Sequence, residues 1–350
     1  MKNIDAYLSD LEDRIDPIEE ERLFNEWVDF LEGRFTGDIF SPRRTGICPS
    51  KLEWQVVSIN EALDDFDAMI LQQYGACSSM LAGGSGGIMN VRCNYGSSII
   101  PVLFGAELYI MDEEFNTLPT SRPLPGGIDT VRKLIDAGVP DLRTSIAGKV
   151  FEMGEIYRRI GEKYPNIGKY IPVYHPDTQG PLDICEVVIG SGIFYMLYDH
   201  PELIKQLLGV ITQTYIEYMR EWFALIPPQS AYSTHWCMLH KGRVMLRDDS
   251  AMNLSPEMYL EFVRPYDQLI FDKFGGGAIH FCGRGDHYIE QMSRMSGLSA
   301  IAMSQPHLNN METIYRNTID KGISLIGFDR EHAEKALKSG RDLHGLVHCF

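Results

Sequence analysis

Residues 277–283 of this 350-residue chain read Gly-Ala-Ile-His-Phe-Cys-Gly, and this stretch carries the strongest local signal for both the fold and the chemistry. The apolar run 278–282 is predicted to be a short β-strand that ends at a glycine. Residues two apart in a strand project to the same face, so His280 and Cys282 are expected to point together. The pair indicates either half of a metal site or a buried strand with one hydrogen-bonded histidine.

Short apolar runs of the same kind alternate with helical patterns beyond residue 80. The candidate strands are 88–92, 170–174, 231–235, 244–247, 278–282, 299–303, 324–328 and 345–349, with 106–111 as a further alternative. Strands that alternate with helices favour βα units and a parallel sheet. Eight candidates predict an α/β fold of the (β/α)8 TIM-type barrel class rather than a doubly wound sheet.

The first part of the chain has a different texture. Ile15, Ile18 and Leu23 recur at near-helical intervals among many acidic residues. We therefore predict an N-terminal helical extension over residues 1–80 and a barrel over 81–350, joined as one structural unit. Since the last candidate strand runs to residue 349, the N-terminal helices are expected to cover the place of an eighth outer helix.

Composition excludes several classes of partner. The chain has 32 basic and 48 acidic residues and a net charge of −16, which disfavours nucleic acid or an anionic membrane surface. No apolar run approaches the ~18 residues of a membrane span, and residues 1–5 begin no signal peptide.

The seven cysteines include no CxxC pair and are expected to be reduced. We expect a cytoplasmic, enzyme-sized protein, with a homodimer as an open alternative.

The sequence also suggests how a metal would be held. An imidazole and a thiolate are borderline-soft ligands that suit zinc. His280 and Cys282 supply two ligands, and Cys349, at the end of the last candidate strand, is the expected third. Three protein ligands leave a fourth position open, which is the arrangement of catalytic rather than structural zinc.

Two further polar groups follow predicted strands. Asp249 comes directly after the strand at 244–247, and His175, Asp177 and Gln179 form a turn after the strand at 170–174. Asp249 and Asp177 are the candidate catalytic carboxylates, while His175, Gln179 and Arg284 are the candidate substrate-binding residues. Solvated loop acids, and capping of the next helix by Asp177, are the structural alternatives.

Arginine and glycine clusters give weaker signals. Arg43, Arg44 and Arg92 could grip carboxylates, although a surface position is the simpler expectation. The glycines at 83–87 and 275–277 fit neither a dinucleotide-binding nor a phosphate-binding loop. We predict that both clusters are turns.

Taken together, these motifs resemble those of the uroporphyrinogen decarboxylase superfamily over roughly residues 50–350. They are nearest to its branch of corrinoid-dependent methyltransferases, such as the methylcobamide:coenzyme M enzymes. The resemblance is carried by His280-Phe-Cys282-Gly283, Asp249-Ser250, Leu254-Ser-Pro-Glu-Met-Tyr259, Pro265-Tyr266 and Asp177-Thr-Gln-Gly-Pro181.

The resemblance implies a (β/α)8 barrel with added N-terminal helices and a zinc ion held by an HxC…C triad. It places the triad at His280, Cys282 and Cys349. It further implies zinc-dependent methyl transfer to a small thiol from a corrinoid (cobalamin), either free or carried by a corrinoid protein. Zinc would hold the acceptor as a thiolate, ready to attack the methyl group.

Two alternatives stay open. The decarboxylase branch acts on a tetrapyrrole without metal, through an Arg-rich N-terminal segment, RQAGRY, and a central carboxylate. That segment is not found in this chain, although Asp249 or Asp177 could supply the carboxylate. The second alternative is a non-catalytic corrinoid-binding protein that keeps the fold, because fold does not fix function.

Overall fold

A computed structural model describes residues 4–350, which form a mixed α/β protein. The prediction that residues 1–5 begin no signal peptide rests partly on residues 1–3, which lie outside the described residues. The α-helices in this range are α1 (Ile4–Arg14), α2 (Pro17–Leu31), α3 (Ile59–Asp64), α4 (Phe66–Gly83), α5 (Gly127–Ala137), α6 (Ser145–Lys163), α7 (Pro165–Tyr170), α8 (Pro181–Ile189), α9 (Ile193–Asp199), α10 (Pro201–Leu225), α11 (Pro256–Phe262), α12 (Arg264–Phe274), α13 (Ile289–Met292), α14 (Met311–Asn317) and α15 (Arg330–Lys338). The strands are β1 (Glu107–Tyr109), β2 (Thr120–Arg122), β3 (Tyr232–His235), β4 (Met238–Lys241), β5 (Val244–Arg247), β6 (Gly277–Phe281), β7 (Leu298–Met303) and β8 (Ser324–Leu325).

Side-chain caps fix where several helices begin. Ser255 accepts a hydrogen bond from the Met258 N–H, and Pro256 occupies the first position of α11. The cap of α3 is Ser58, which exchanges hydrogen bonds with Glu61 in a capping box. Each such cap contributes about 1 kcal/mol to helix stability.

The central sheet is parallel and consists of β5, β6, β7 and β8 in that spatial order. Single parallel bridges continue it from Leu325 to Val347 and from His348 to Phe40, and another joins Val91 to Val173. The α/β class with a parallel sheet is therefore confirmed. The pairings within residues 4–350 do not show a closed eight-stranded barrel. The predicted strands at 88–92 and 170–174 pair with each other at one bridge only.

Two antiparallel hairpins accompany the parallel sheet. Strands β3 and β4 pair in register from Tyr232–Lys241 to His235–Met238. The prediction of 231–235 as one parallel barrel strand is therefore wrong, because a two-residue turn returns the chain at once. The alternative strand at 106–111 exists as β1, which pairs with β2 rather than with the central sheet.

The N-terminal helices share buried contacts with the rest of the chain. The Trp27 indole N–H of α2 donates to the Gly86 carbonyl oxygen at 3.1 Å. Trp27 also packs edge-on against Phe40, whose backbone pairs with His348. Arg44 is buried in an ion pair with Glu20 at 2.6 Å, so the expected surface position of this arginine is wrong.

One result bears on membranes. Between residues 4 and 350, no single helix has the length and apolar character needed to cross a bilayer. The pair α8 and α9, bent by 107°, meets that test by length and composition alone.

The glycine clusters do more than turn the chain. A Cβ on Gly86 would lie 2.0 Å from the Pro42 carbonyl oxygen, and one on Gly277 would lie 1.8 Å from the Val244 carbonyl oxygen. Both distances are far below van der Waals contact, so each glycine is needed where two backbones approach closely. Gly277 begins β6 opposite Val244 and therefore controls the pairing of β5 with β6.

This close approach gives a testable difference between two glycines. We expect Gly277→Ala to lower the free energy of unfolding by at least about 1–3 kcal/mol, because the methyl group would push β5 away from β6. Gly209→Ala is the matched control: Gly209 is exposed within α10, with nothing within 4 Å of its added Cβ. That change should stabilise the protein by about 0.5–1 kcal/mol. Urea unfolding measures both, and equal effects would contradict the packing argument.

Candidate metal centre and its surroundings

The candidate site lies at the carboxyl ends of β5 and β6. Arg247 is the last residue of β5 and pairs in register with His280 on β6. Asp249 follows β5 by two residues, and Cys282 follows β6 directly. Parallel pairing therefore brings residues more than 30 apart in sequence to the same edge of the sheet.

Three side chains converge there. Asp249, His280 and Cys282 each offer one ligand atom, and these atoms lie within 4.8 Å of one another. The His280 Nε2 is 3.3 Å from the Cys282 Sγ and 3.7 Å from the Asp249 Oδ1. Tetrahedral zinc with bonds of about 2.0–2.3 Å places its ligand atoms about 3.3–3.6 Å apart. The donor types suit zinc, and both distances from the His280 Nε2 lie near this range.

Backbone hydrogen bonds orient the carboxylate of this group. The Cys282 N–H donates to the Asp249 Oδ1 at 2.7 Å. The backbone at 249–250 is fixed in turn by the buried Asp183, which accepts hydrogen bonds from the Asp249 and Ser250 N–H groups at 2.8 and 2.9 Å. Beyond the cysteine, the Gln305 side-chain oxygen accepts the Gly283 N–H at 2.5 Å. Both loops that carry ligand atoms are thus held in place.

Burial sets the charge of the donors. It lowers the pKa of the His280 imidazole, although the Asp249 carboxylate opposes this, and a neutral imidazole is the form that binds a metal. Burial also raises the pKa of the Cys282 thiol, which the Ser304 hydroxyl partly opposes. The Asp249 side chain is 38% exposed, so the group is open to solvent on one side. An open side leaves room for a further ligand.

The predicted third ligand is not part of this group. Cys349 is buried, and its N–H donates to the Phe40 carbonyl oxygen at 3.0 Å. The segment that contains Cys349 pairs with β8. In the order of the sheet this segment therefore lies three strands away from β6, at about 4.8 Å per strand. Asp249, expected to be catalytic, is the third donor beside His280 and Cys282. The role of Cys349 as a ligand stays a prediction.

Asp177 is the centre of a buried ion cluster next to these donors. Its carboxylate pairs with the guanidinium groups of Arg92 and Arg247 and lies 3.6 Å from the His235 Nε2. Burial alone would raise the pKa of Asp177, but the two arginines outweigh it and hold that pKa below its usual value. One carboxylate between two guanidinium groups leaves a net positive charge. Arg92 remains partly exposed, so this charge is accessible.

The three predicted substrate-binding residues lie in different surroundings. The buried His175 ring has both nitrogens engaged by backbone: Nδ1 is 2.7 Å from the Pro176 carbonyl oxygen, and Nε2 accepts the Met245 N–H at 2.9 Å. It therefore supports β5, and its expected substrate contact stays a prediction. Arg284 is 62% exposed and pairs with Asp286 at 2.7 Å. Gln179 is half-buried, and its Oε1 has no partner within the described part of the chain.

The sequence interpretation missed Trp236, which forms one wall of the site. Trp236 and Cys237 are the two turn residues between β3 and β4 and have φ of 48° and 63°. A two-residue turn with both φ positive is the common hairpin turn, but it usually carries Asn-Gly or a similar pair, so no signal marked it here. The Trp236 ring lies 5.0 Å from the His280 ring and 4.8 Å from the Arg247 guanidinium. It thus links the three donors with the ion cluster.

A second set of carboxyl groups lies beneath the site. Asp248 and Asp267 are both buried. The backbone at Gly180, immediately before α8, passes so close that a Cβ there would lie 2.5 Å from the Asp248 Oδ1. Burial raises the pKa of Asp267 to about 8 and raises that of Asp248 well above its usual value. At neutral pH the pair therefore holds at least one proton.

Comparison with known proteins shows the fold. No protein-family model matches this sequence, and no curated protein matches it either. Among solved structures, a methyltransferase from Methanosarcina mazei superposes with a TM-score of 0.64, over 93% of this chain and 92% of its own length. The two sequences are 16% identical, so the likeness shows that the chain has the α/β fold of that methyltransferase.

The buried carboxyl pair predicts a pH dependence of stability. An unfolded Asp releases its proton near pH 4, whereas folded Asp267 holds one up to about pH 8. The folded state therefore binds more protons in this window, and stability falls as pH rises through it, by at most about 1.4 kcal/mol per pH unit for one proton. We expect Asp267→Asn to flatten this slope in urea unfolding between about pH 5 and pH 8.

Asp272→Asn is the control for that measurement. Asp272 lies on the same helix, α12, but is exposed. Its replacement should leave the slope of the unmodified protein unchanged. A slope in Asp267→Asn as steep as in the unmodified protein would contradict the shared-proton interpretation.

Proposed function

We propose that this protein is a zinc-dependent methyltransferase that moves a methyl group from a corrinoid to a small thiol, within the uroporphyrinogen decarboxylase superfamily. The observation that carries the proposal is the convergence of Asp249, His280 and Cys282 at the carboxyl ends of two parallel strands, with one side open. Catalytic zinc has three protein ligands and an open position. The fold shared with a methyltransferase over most of both chains supports this choice.

Each residue has a defined part in this proposal. Asp249, His280 and Cys282 would hold the ion, and a bound zinc would supply the positive charge that keeps the acceptor sulfur as a thiolate. Asp183 keeps the Asp249 loop in position. The acceptor thiol would give its proton to solvent, and its sulfur would take the methyl group, while the cobalt–carbon electron pair would stay with the corrinoid. The donor in this proposal is a methylated corrinoid, free or carried by a corrinoid protein. The proposal also includes closure of the strands into a (β/α)8 barrel.

The ion cluster indicates what kind of thiol is accepted. Arg247 is directly opposite His280 in the sheet, and its guanidinium is held by Asp177, which also holds Arg92. The net positive charge of these three groups would attract an acceptor that carries an anionic group besides its thiol. Asp177 orients the two guanidinium groups, so we assign it a positioning role rather than a proton-transfer role.

One observation favours the decarboxylase alternative. Two arginines around a central carboxylate are the groups that tetrapyrrole decarboxylation would need for side-chain carboxylates and a protonated ring. Here, however, the Asp177 carboxylate is already paired with both arginines. Tetrapyrrole turnover by metal-free protein would establish this alternative. Corrinoid binding without methyl transfer would instead establish a non-catalytic corrinoid-binding protein.

Metal content tests the proposed ligands. The purified protein is expected to hold about one zinc per chain, as measured by elemental analysis. Cys282→Ser and His280→Ala should each lose most of it, and Asp249→Asn should weaken zinc binding by at least about tenfold, because each removes one of three protein donors. Cobalt substitution provides a second readout, since a thiolate–cobalt absorption band should be present in the unmodified protein and missing in Cys282→Ser.

Two cysteine variants sharpen this test. Cys48 is exposed and unpaired with any other cysteine, so Cys48→Ser should keep full zinc content and serves as the control. Cys349→Ser separates the two ligand sets: zinc loss would add Cys349 to the set, and retention would leave Asp249 as the third ligand. Full zinc content in Cys282→Ser would rule out the proposed centre.

Acceptor charge gives an independent test of activity. With methylcobalamin as donor, we expect kcat/KM to be higher for 3-mercaptopropionate than for the uncharged 2-mercaptoethanol. Arg92→Gln should lower the value for the anionic thiol about tenfold and leave the neutral thiol within about twofold, because it removes one charge-assisted contact. Arg316→Gln, at an exposed position on α14, is the control. Equal loss with both thiols would contradict an anion-binding role.

A further inference from the structure

A cavity of about 670 Å³ lies at the opposite ends of the strands from the candidate metal centre. Its lining includes Arg243, immediately before β5, and Ser230, shortly before β3, which places it at the amino ends of these strands. Helix α2 contributes Phe24, and the end of α10 contributes Trp222. Its volume is in the range of small-molecule sites in proteins, about 300–1,000 Å³.

Most of the cavity wall is apolar and aromatic. The aromatic side chains that line it are Phe24, Tyr170, Tyr174, Trp222, Phe223 and Tyr232. Flat rings on several sides favour a ligand with a flat apolar body, because offset and edge-on ring contacts add to the burial of area. At the rim, exposed residues such as Pro227 and Gln229 bring the cavity to the surface.

Two polar groups in this wall have no partner within residues 4–350. The Thr234 side chain is buried, with the residue 6% exposed, and its hydroxyl makes no hydrogen bond. The Arg243 Nη1 is likewise buried without an acceptor. A buried polar group without a partner costs about 1–3 kcal/mol. Both residues line the same apolar cavity, and their unpaired atoms, which lie just behind its surface, would turn toward an acceptor group that a ligand brings.

The acidic residues of the wall do not satisfy this arginine. Glu20 is taken by the buried Arg44 at 2.6 Å. Glu21 pairs with Lys169 at 2.8 Å and accepts the Tyr170 hydroxyl at 2.9 Å. Both carboxylates are thus engaged by other cations, and neither is a partner of the Arg243 Nη1 or the Thr234 hydroxyl.

We propose that this cavity is a second binding site, for a flat aromatic molecule that carries one carboxylate. The aromatic wall would take the ring system, and Arg243 and Thr234 would donate hydrogen bonds to the carboxylate. The site is separate from the metal centre, because it lies at the other ends of the strands and shares none of the three donor residues. It stands whether or not the protein transfers methyl groups.

The test uses 2-naphthoate as the probe and isothermal titration calorimetry on the whole protein. We expect saturable binding of about one molecule per chain, with 2-naphthamide, which has the same shape but no charge, at least about tenfold weaker. Arg243→Gln should weaken 2-naphthoate by about tenfold and leave 2-naphthamide nearly unchanged. Thr234→Val should weaken 2-naphthoate more modestly.

Controls separate this site from a general apolar surface. Arg220→Gln, at an exposed position on α10, should bind 2-naphthoate like the unmodified protein, as should Cys282→Ser at the metal centre. Ile226→Trp fills the half-buried mouth of the cavity and should abolish binding, which keeps the test decisive if Arg243→Gln fails to fold. The proposal is overturned by absence of saturable binding, by equal affinity for the acid and the amide, or by binding that survives Ile226→Trp.

Discussion

Strands β5 and β6 run parallel with Val244 opposite Gly277 and Arg247 opposite His280, and this register carries the whole candidate site. It can exist only because position 277 has no side chain, since a Cβ there would lie 1.8 Å from the Val244 carbonyl oxygen. Once the two backbones are this close, the loops that follow them meet as well. The Cys282 N–H then reaches the Asp249 carboxylate at 2.7 Å, and the three donors come together.

The candidate site has two parts that differ in charge: the three donor residues and the neighbouring ion cluster. The chain as a whole has a net charge of −16, yet the cluster of Asp177, Arg92 and Arg247 is positive at the point where β5 ends. Burying two guanidinium groups is costly unless a carboxylate accompanies them, and Asp177 meets that need. The cost of the buried Asp248 and Asp267 is met differently, by keeping a proton. A positive region thus lies beside the candidate metal donors.

The two ends of the strands have separate roles in this interpretation. The carboxyl ends carry the donors and the ion cluster, as is usual for enzymes built on parallel strands. The amino ends are covered by α2 and enclose an aromatic cavity with two unpaired donor groups. The likeness to a Methanosarcina mazei methyltransferase extends over both ends, but at 16% identity it describes the path of the chain and not the chemistry of either site.

Part of the fold and of the candidate site could be predicted from local sequence. The alternation of apolar runs and helical patterns predicted an α/β protein with a parallel sheet, and four of the candidate strands coincide with β5, β6, β7 and β8 of that sheet. The spacing of His280 and Cys282 placed both side chains on one face, since that follows from the two-residue period of a strand alone.

Other features depended on contacts between distant segments, which no local pattern encodes. Only the tertiary structure showed that Asp249 lies beside the histidine and cysteine, because strand order, not sequence position, sets which loops are neighbours. It also decided that Trp236 stands on a hairpin turn, since the turn lacks the usual glycine signal. The sequence by itself therefore determined the class of fold and one pair of candidate ligands. Packing determined the third donor, the ion cluster and the cavity, because these arise only where separate elements meet.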